Sequence, residues 1–460
     1  MADESDRRRG VAERADAPGP MNGADRVDGA ADRTDAAGQK GTAEQTGASA
    51  QTSASAQTGM KPQRATNLTG ILTETLHSAG PADPERYSRQ IRFAPIGPEG
   101  QRRLLEASVL IVGAGALGAS LAQHMARAGV GRIRIVDRDF VEPSNLQRQT
   151  LFDEEDARLA LPKAAAAAAK LRRINSGVII EEHVADVTPA NAAALADGMR
   201  LVLDGTDNAG TRLLLSDVCF TLGIPFLYGG AVGAAGMSAA LVPGETACLR
   251  CLIGGEREAE EAGTCETEGV ISPIVELVAA LQAAEALKWL SGNREALRRT
   301  WVSASLWPFE FREWRLPAPR RECPVCGRAR LAAETGGMSR GAETLQAKQV
   351  VAQTEHPSSP ANRPIDGAIR AAVLCGRDTV QLTLDHPLPL DRIEERLAAD
   401  GCRITRNPWL IRADTGDGRR IVLFRGEGRV LVQGVSDADE AVRGLIKLLN
   451  LPDEEGVAVR

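Results

Sequence analysis

The run Ser108-Val109-Leu110-Ile111-Val112 leads directly into Gly113-x-Gly115-x-x-Gly118. A continuous aliphatic run of this kind reads as a strand buried on both faces, which is the signature of a parallel sheet. The glycines permit a tight turn into the helix that follows, LAQHMARAG, ending at Gly129. They also let the backbone approach a phosphate at the helix N-terminus. Arg132 to Asp137 (RIRIVD), Leu201 to Leu203 and Pro225 to Tyr228 read as further buried strands, and Leu161 to Arg173 as an Ala-rich helix. This alternation predicts an α/β fold with a parallel sheet. Asp137 ends its strand 19 residues after Gly118 and is placed to hold ribose hydroxyls. The glycine motif does not separate NAD from ATP. No G-x-x-x-x-G-K-[ST] occurs, so a Walker-type ATPase is excluded.

The residues after Asp137 favour a triphosphate. Ser144-Asn145-Leu146-Gln147-Arg148-Gln149 supplies an Asn and an Arg for which hydride transfer has no obvious use. An arginine forks onto phosphate oxygens and neutralises a leaving pyrophosphate, and Lys163 can add a second cation. In Asp204-Gly205-Thr206-Asp207-Asn208 a carboxylate at the carboxyl end of the sheet suits Mg²⁺. The five histidines form no catalytic-looking cluster.

Taken together, Arg86-Tyr87-Ser88-Arg89-Gln90-Ile91, the GAGALG turn, the Asp137 strand, SNLQRQ, Lys163 and DGTDN resemble the ThiF/MoeB family over about residues 85 to 328. These are bacterial relatives of ubiquitin-activating enzymes. The resemblance implies a Rossmann-like nucleotide-binding domain. It implies ATP-dependent adenylation of the C-terminal glycine of a ubiquitin-like sulfur carrier ending in Gly-Gly, ThiS- or MoaD-like, with release of pyrophosphate. The pathways implied are thiamine-thiazole and molybdopterin synthesis. By the same resemblance Asp137 binds ribose, and Asn145, Arg148 and Lys163 contact the phosphates. Asp207 holds Mg²⁺, and Arg89 reaches into the active site of the other subunit of a homodimer. One departure is Ala116, where relatives often carry another glycine. The competing readings are an NAD(P)-dependent oxidoreductase, which rests on the glycine fingerprint alone, and a non-catalytic carrier-binding scaffold, which the intact charged set disfavours.

Eight cysteines need a reason in a chain that otherwise reads as cytosolic. Cys248-x-x-Cys251 and Cys323-x-x-Cys326 are two chelating pairs that predict a closed, structural Zn²⁺ site. The gap between them makes that site a staple from the end of the domain to its middle, and the resemblance places a zinc here too. Cys265 corresponds to a loop cysteine that forms a covalent species with the carrier in some members and is dispensable in others. Its glutamate-rich flanks oppose a thiolate, so a covalent role and a free loop thiol both stay open. Cys219, Cys375 and Cys402 read as core residues.

A net charge of −6 argues against a dedicated nucleic-acid binder. MADESDRRRG has no apolar core, so no secretory signal is expected. Ile274 to Leu290 is the most apolar stretch, but Glu276, Gln282, Glu285 and Lys288 mark it as an amphipathic helix rather than a membrane span. Residues 1–66 read as a disordered leader, 67–330 as the adenylation domain and 331–365 as a linker. Residues 366–460 read as a small α/β domain, similar to an appendage on Gram-positive ThiF/MoeB-like proteins, for which carrier binding is an expectation. Within it, Leu390 to Asp400 reads as a helix, RRIVLFR and RVLVQG as strands, and a last helix as starting at Ser436 with a capping box to Asp439. Trp301, Trp307, Phe309, Phe311 and Trp314 suggest a strand whose aromatic face covers the core, or else a carrier-docking or dimer surface.

Overall fold

The computed structural model describes residues 85–255, 268–328, 364–365, 369–374, 378–385, 387–426 and 428–449. The expected leader, nearly all of the expected linker, Cys265 and Cys375 lie outside them. After two short helices, α1 (Ser88–Ile91) and α2 (Gly97–Leu105), the chain alternates β1 (Ser108–Val112), α3 (Ala116–Ala128) and β2 (Arg132–Val136). There follow α4 (Glu154–Arg158), α5 (Lys163–Ile174), β3 (Ile179–His183), α6 (Ala192–Ala196), β4 (Leu201–Asp204), α7 (Ala209–Leu222) and β5 (Phe226–Val232). These strands stand in the order β3-β2-β1-β4-β5, all parallel. The order reverses between β1 and β4, so a crevice opens at the carboxyl ends of those two strands.

The continuous apolar runs are explained by burial on both faces. Val109, Ile111, Leu201 and Leu203 enter one core cluster, while Leu110, Val112 and Val202 enter the other. Beyond β5 the sheet turns antiparallel through β6 (Ala235–Leu241), β7 (Thr300–Leu306) and β8 (Phe309–Arg315). Between β6 and β7 lie α8 (Leu249–Ile253) and α9 (Ser272–Ser291).

Two expectations fail in this part. Helix α9 is not amphipathic in practice: Gln282 is 0% and Glu285 3% exposed. Gln282 donates to the carbonyls of Asp204 and Leu227, both at 2.9 Å, and Glu285 accepts from Lys288 and the Arg298 N–H. The Gln282 amide N–H groups and the Glu285 carboxylate are bonded internally, and Gln282 Oε1 is buried without a partner among the described residues, so neither residue marks a wet face. The aromatic strand also does not cover the core. Trp307, Phe309, Phe311 and Trp314 are exposed on the edge of the sheet, and Trp301 alone turns inward to stack on Tyr228.

A second sheet is antiparallel, in the order β12-β13-β14-β15-β11-β10-β9. Its strands are β9 (Pro364–Ile365), β10 (Ile369–Leu374), β11 (Thr379–Leu384), β12 (Arg403–Arg406), β13 (Leu410–Asp414), β14 (Arg420–Phe424) and β15 (Arg429–Gln433). Helices α10 (Leu390–Ala399) and α11 (Ala438–Leu449) cover one face. Helix α11 starts later than expected, because Asp437 rather than Ser436 accepts from a first-turn N–H, that of Glu440. Ile411, Leu423 and Val430 point to the helices, while Leu410, Val422, Phe424 and Leu431 point the other way. Among the described residues no helix is long and apolar enough to cross a membrane.

Candidate active site

The three fingerprint glycines divide their labour. Gly113 has φ +86°, and a Cβ there would stand 2.5 Å from the Gly205 carbonyl oxygen. A Cβ on Gly118 would stand 1.8 Å from the Gly113 oxygen. Gly113 is required by the close approach of the β1 tip to Gly205 after β4, and Gly118 by the packing of the first turn of α3 on the β1 tip. Gly115 is different. Its φ is −72°, and a Cβ would meet nothing nearer than Gln149 Nε2 at 3.9 Å. It is the N-cap of α3 and supplies no side-chain cap, so the first-turn N–H groups face the space that a Cβ would begin to fill. Beside it Gln149 is 3% exposed, and its buried Oε1 has no hydrogen-bond partner among the described residues. An orphaned buried acceptor next to an uncapped helix end marks a ligand site. Gly118→Ala should therefore cost more than about 4 kcal/mol and fail to fold. Gly115→Ala should melt like the parent but lose ATP affinity, as thermal denaturation and equilibrium ATP binding would read.

The charged residues gather at the same end of the sheet. Asp137 accepts the Ala114 N–H and the Asp139 N–H, both at 2.6 Å, and so ties β2 to the glycine turn. Burial raises its pKa and Asp139 adds to this, while Lys163 opposes the rise. Two carboxylate oxygens offer about four acceptor sites, so capacity remains for ribose hydroxyls. Lys163, first residue of α5, is 5% exposed and lies 3.3 Å from Asp139. Burial works against the charge of Arg138, yet Asp186, Asp139, Asp207 and Asp137 together hold its pKa above the ordinary value. Asp207 therefore belongs to the same electrostatic cluster, although it is exposed.

Packing distinguishes the two carboxylates at the end of β4 and just beyond it. Asp204 is fully buried, accepts from Thr206 N and Oγ1, and pairs with Arg212 at 3.2 Å. It is consumed by the loop, which leaves Asp207 as the carboxylate open to a cation. Asn145 is 3% exposed in a tight turn (Pro143–Asn145), where its Oδ1 accepts the Glu142 N–H at 3.1 Å. Arg148 follows, half-buried, with Nη1 on the Ser144 carbonyl at 3.0 Å.

The four cysteines converge elsewhere. All four Sγ atoms of Cys248, Cys251, Cys323 and Cys326 lie within 4.8 Å of one another. Cys248 and Cys323 are 3.7 Å apart, and Cys251 and Cys326 are 3.8 Å apart. Four thiolates at the Zn–S length of ~2.3 Å form a tetrahedron with edges of about 3.8 Å. The spacing thus fits a tetrahedral metal and excludes disulfides. Burial and the neighbouring thiols push Cys251 up to about 12 and Cys248 higher still. Cys323 is lowered despite its burial, by the Val325 and Cys326 N–H groups and the adjacent thiols.

A family model described as the ThiF family matches residues 87–325. The chain belongs to the ThiF family. The sulfur carrier protein ThiS adenylyltransferase of Bacillus subtilis is 40% identical over 365 residues, covering 77% of this chain and 96% of its own length. The SAMP-activating enzyme E1 of Haloferax volcanii is 42% identical over 248 residues, covering 53% and 88%. The Escherichia coli sulfur carrier protein ThiS adenylyltransferase is 38% identical over 248 residues, covering 53% and 94%.

In this ThiF-family chain one expected site residue stands apart from the rest. Exposed Arg89 lies on α1, which is anchored at the far ends of the central helices: Gln90 donates to the Ala128 carbonyl, Tyr87 meets Asn175, and Arg86 meets the Ile174 carbonyl. Thirteen residues of α3 separate that end from Gly115, a span of about 20 Å. Arg89 is therefore out of reach of the crevice in its own chain. Residues overlooked in the sequence are Gln149, Asp139 and Glu142. Gln149 stood inside the SNLQRQ motif, but its burial beside Gly115 has no signature in residue order.

Proposed function

We propose that this ThiF-family adenylyltransferase activates the C-terminal carboxylate of a ubiquitin-like sulfur carrier with ATP and releases pyrophosphate. The observation that carries the reading is the open, uncapped helix end at Gly115 beside the orphaned Gln149 Oε1, at the end of the sheet that also carries Asp137, Asp139, Lys163 and Asp207. A carboxylate is a poor acceptor because its oxygen leaves badly. Attack of a carboxylate oxygen on the α-phosphorus forms the acyl–phosphate bond and breaks the bond to the β-phosphate. The electron pair leaves on pyrophosphate, and no proton need move. Catalysis of such a step is positioning and charge neutralisation.

The glycine turn and the α3 N-terminus hold phosphate oxygens, and Asp137 takes the ribose. Asn145, Arg148 and Lys163 oppose the charge that builds on the leaving group. Asp207 would hold Mg²⁺, which supplies further charge neutralisation when bound. Arg89 completes the site of a second copy, which makes the working unit a homodimer. The four cysteines would hold a structural Zn²⁺, and a cytosolic setting keeps them reduced. Residues 67–330 form the adenylation domain in this reading, 366–460 a separate smaller one, and Cys265 belongs to sulfur transfer after adenylation.

The test is ATP–pyrophosphate exchange with ThiS-like and MoaD-like carriers in parallel. Exchange that needs the carrier's Gly-Gly end supports the reading, and the better carrier names the pathway. No exchange with either, together with nicotinamide binding, would overturn it. Cys265→Ala should leave exchange within about twofold of the parent.

A further inference from the structure

The chain from the end of β2 to the first residue of α5 carries Asn145, Arg148 and Lys163, the residues the proposed function places at the phosphates, and part of it packs on the C-terminal sheet. Residues 138–145 leave β2 and pair loosely with residues 159–163: Phe140 bridges Pro162, the Val141 N–H donates to the Leu161 carbonyl at 2.8 Å, and the Lys163 N–H donates to the Asp139 carbonyl at 2.8 Å. The outer side of this strap would be exposed apolar surface and unpaired carbonyls without a cover. The C-terminal sheet supplies the cover. Phe140 and Ala160 are buried in one cluster with Leu410, Val422, Phe424 and Leu431, and the Phe140 and Phe424 rings lie 6.5 Å apart.

The polar contacts reach the strap at its functional points. The Arg429 guanidinium, stacked on Phe424, donates to the carbonyl of Arg138, the residue after Asp137. Asn407 Nδ2 donates to the carbonyls of Leu159 and Ala160, each at 3.0 Å, while its Oδ1 accepts from the Trp409 and Leu410 N–H groups. That grip holds Ala160 at φ +48°, a left-handed conformation that costs a non-glycine residue about 1 kcal/mol. Arg420 at 3.4 Å and Gln433 at 3.3 Å both address Glu142 Oε1. Glu142 in turn caps the turn that presents Asn145, three residues before Arg148.

We propose that the C-terminal sheet is a positioning element of the nucleotide site, with Arg420, Arg429 and Asn407 as positioning residues that act through the 138–163 strap. The sheet face that would otherwise be open to a carrier is filled by the protein's own strap. Its effect therefore falls on ATP rather than on carrier affinity. This inference rests on reading the Gly115 crevice as an ATP site.

The experiment uses the full chain and equilibrium binding of a non-hydrolysable ATP analogue, with exchange kinetics beside it. Arg420→Met, a half-exposed change, should weaken analogue binding by roughly fivefold to tenfold, the worth of one ordinary hydrogen bond at the long 3.4 Å contact. It should raise KM for ATP, leave KM for the carrier unchanged and leave the melting temperature close to the parent's. Glu142→Gln should show a similar loss, and the double variant little further loss, because the Arg420–Glu142 contact is the link the two share, although Arg420 also pairs with Asp414 at 2.6 Å. Arg429→Met should lose more, with Arg429→Lys partly restoring it. If Arg429→Met does not fold, the Arg420–Glu142 cycle decides alone. Parent-like analogue binding in folded Arg420→Met and Glu142→Gln overturns the proposal, as does a loss confined to the carrier. A parent that binds the analogue but gives no exchange sinks only the adenylation reading, and the binding comparison still stands. A parent that does not bind the analogue sinks both.

Discussion

Replacing Asp207 by Ala is expected to lower carrier-dependent ATP–pyrophosphate exchange by roughly 10²–10³-fold, and Arg148→Ala by a similar factor, the usual cost of removing one preorganised charge from a transition state. Both variants should melt like the parent. Asp207 is exposed and Arg148 half-buried, with one hydrogen bond to the local Ser144 carbonyl. Exposed substitutions of this kind change stability by about 0.5 kcal/mol or less. The contrast is Lys163→Ala, which removes a 5%-exposed ammonium from its ion pair with half-buried Asp139. It should lose exchange and stability together. Measuring exchange and melting side by side therefore separates site charges from framework charges. Full exchange in Asp207→Ala would remove the proposed cation role from the carboxylate that packing left available.

Local chemistry was legible wherever one residue type has one structural use. Gly113 and Gly118 are compelled by close backbone approaches, and the aliphatic runs of β1 and β4 by burial on two faces. Legibility ended where a residue type serves two ends. Asp204 and Asp207 look alike in the sequence, and only the Arg212 and Thr206 contacts assign one to structure. Gln282 and Glu285 were read as the wet side of α9, but buried carbonyls and the Arg298 N–H bond them inside. The aromatics around β8 fit two readings in the sequence, a face over the core or a docking or dimer surface, and the first fails because the edge strand leaves Trp307, Phe309, Phe311 and Trp314 exposed. The contact from Arg420 to Glu142 spans 278 positions and follows from no periodicity.

The cysteine site should dominate stability as the charged set dominates rate. The pairs are 75 positions apart: Cys248 opens α8, and Cys323 and Cys326 follow β8. Helix α8 is fixed to α7 by Arg250 on Asp217 at 2.7 Å and by the Leu249 N–H on Ser216. A metal bound there would hold the segment after β8 against the middle of α7, where Val325 and Cys326 join the core with Leu316 and Leu249. Loss of one ligand releases that segment and leaves Cys248 and Cys251, which burial already disfavours as thiolates. Structural zinc sites contribute about 10–16 kcal/mol in small peptides. In a framework with its own core the share lost is smaller, about 3–5 kcal/mol, which lowers Tm by about 10–15 °C. Cys323→Ser should therefore melt that much lower and bind less than one zinc per chain by elemental analysis. A strong chelator should do the same to the parent. Ser216 lies eight residues along α7 from its N-cap Asn208, about 12 Å, so a metal at the cysteines would stand away from the proposed nucleotide crevice. Below its lowered Tm the variant should keep the parent's KM for ATP. A variant that binds no zinc yet melts with the parent would show that packing alone secures the end of the fold.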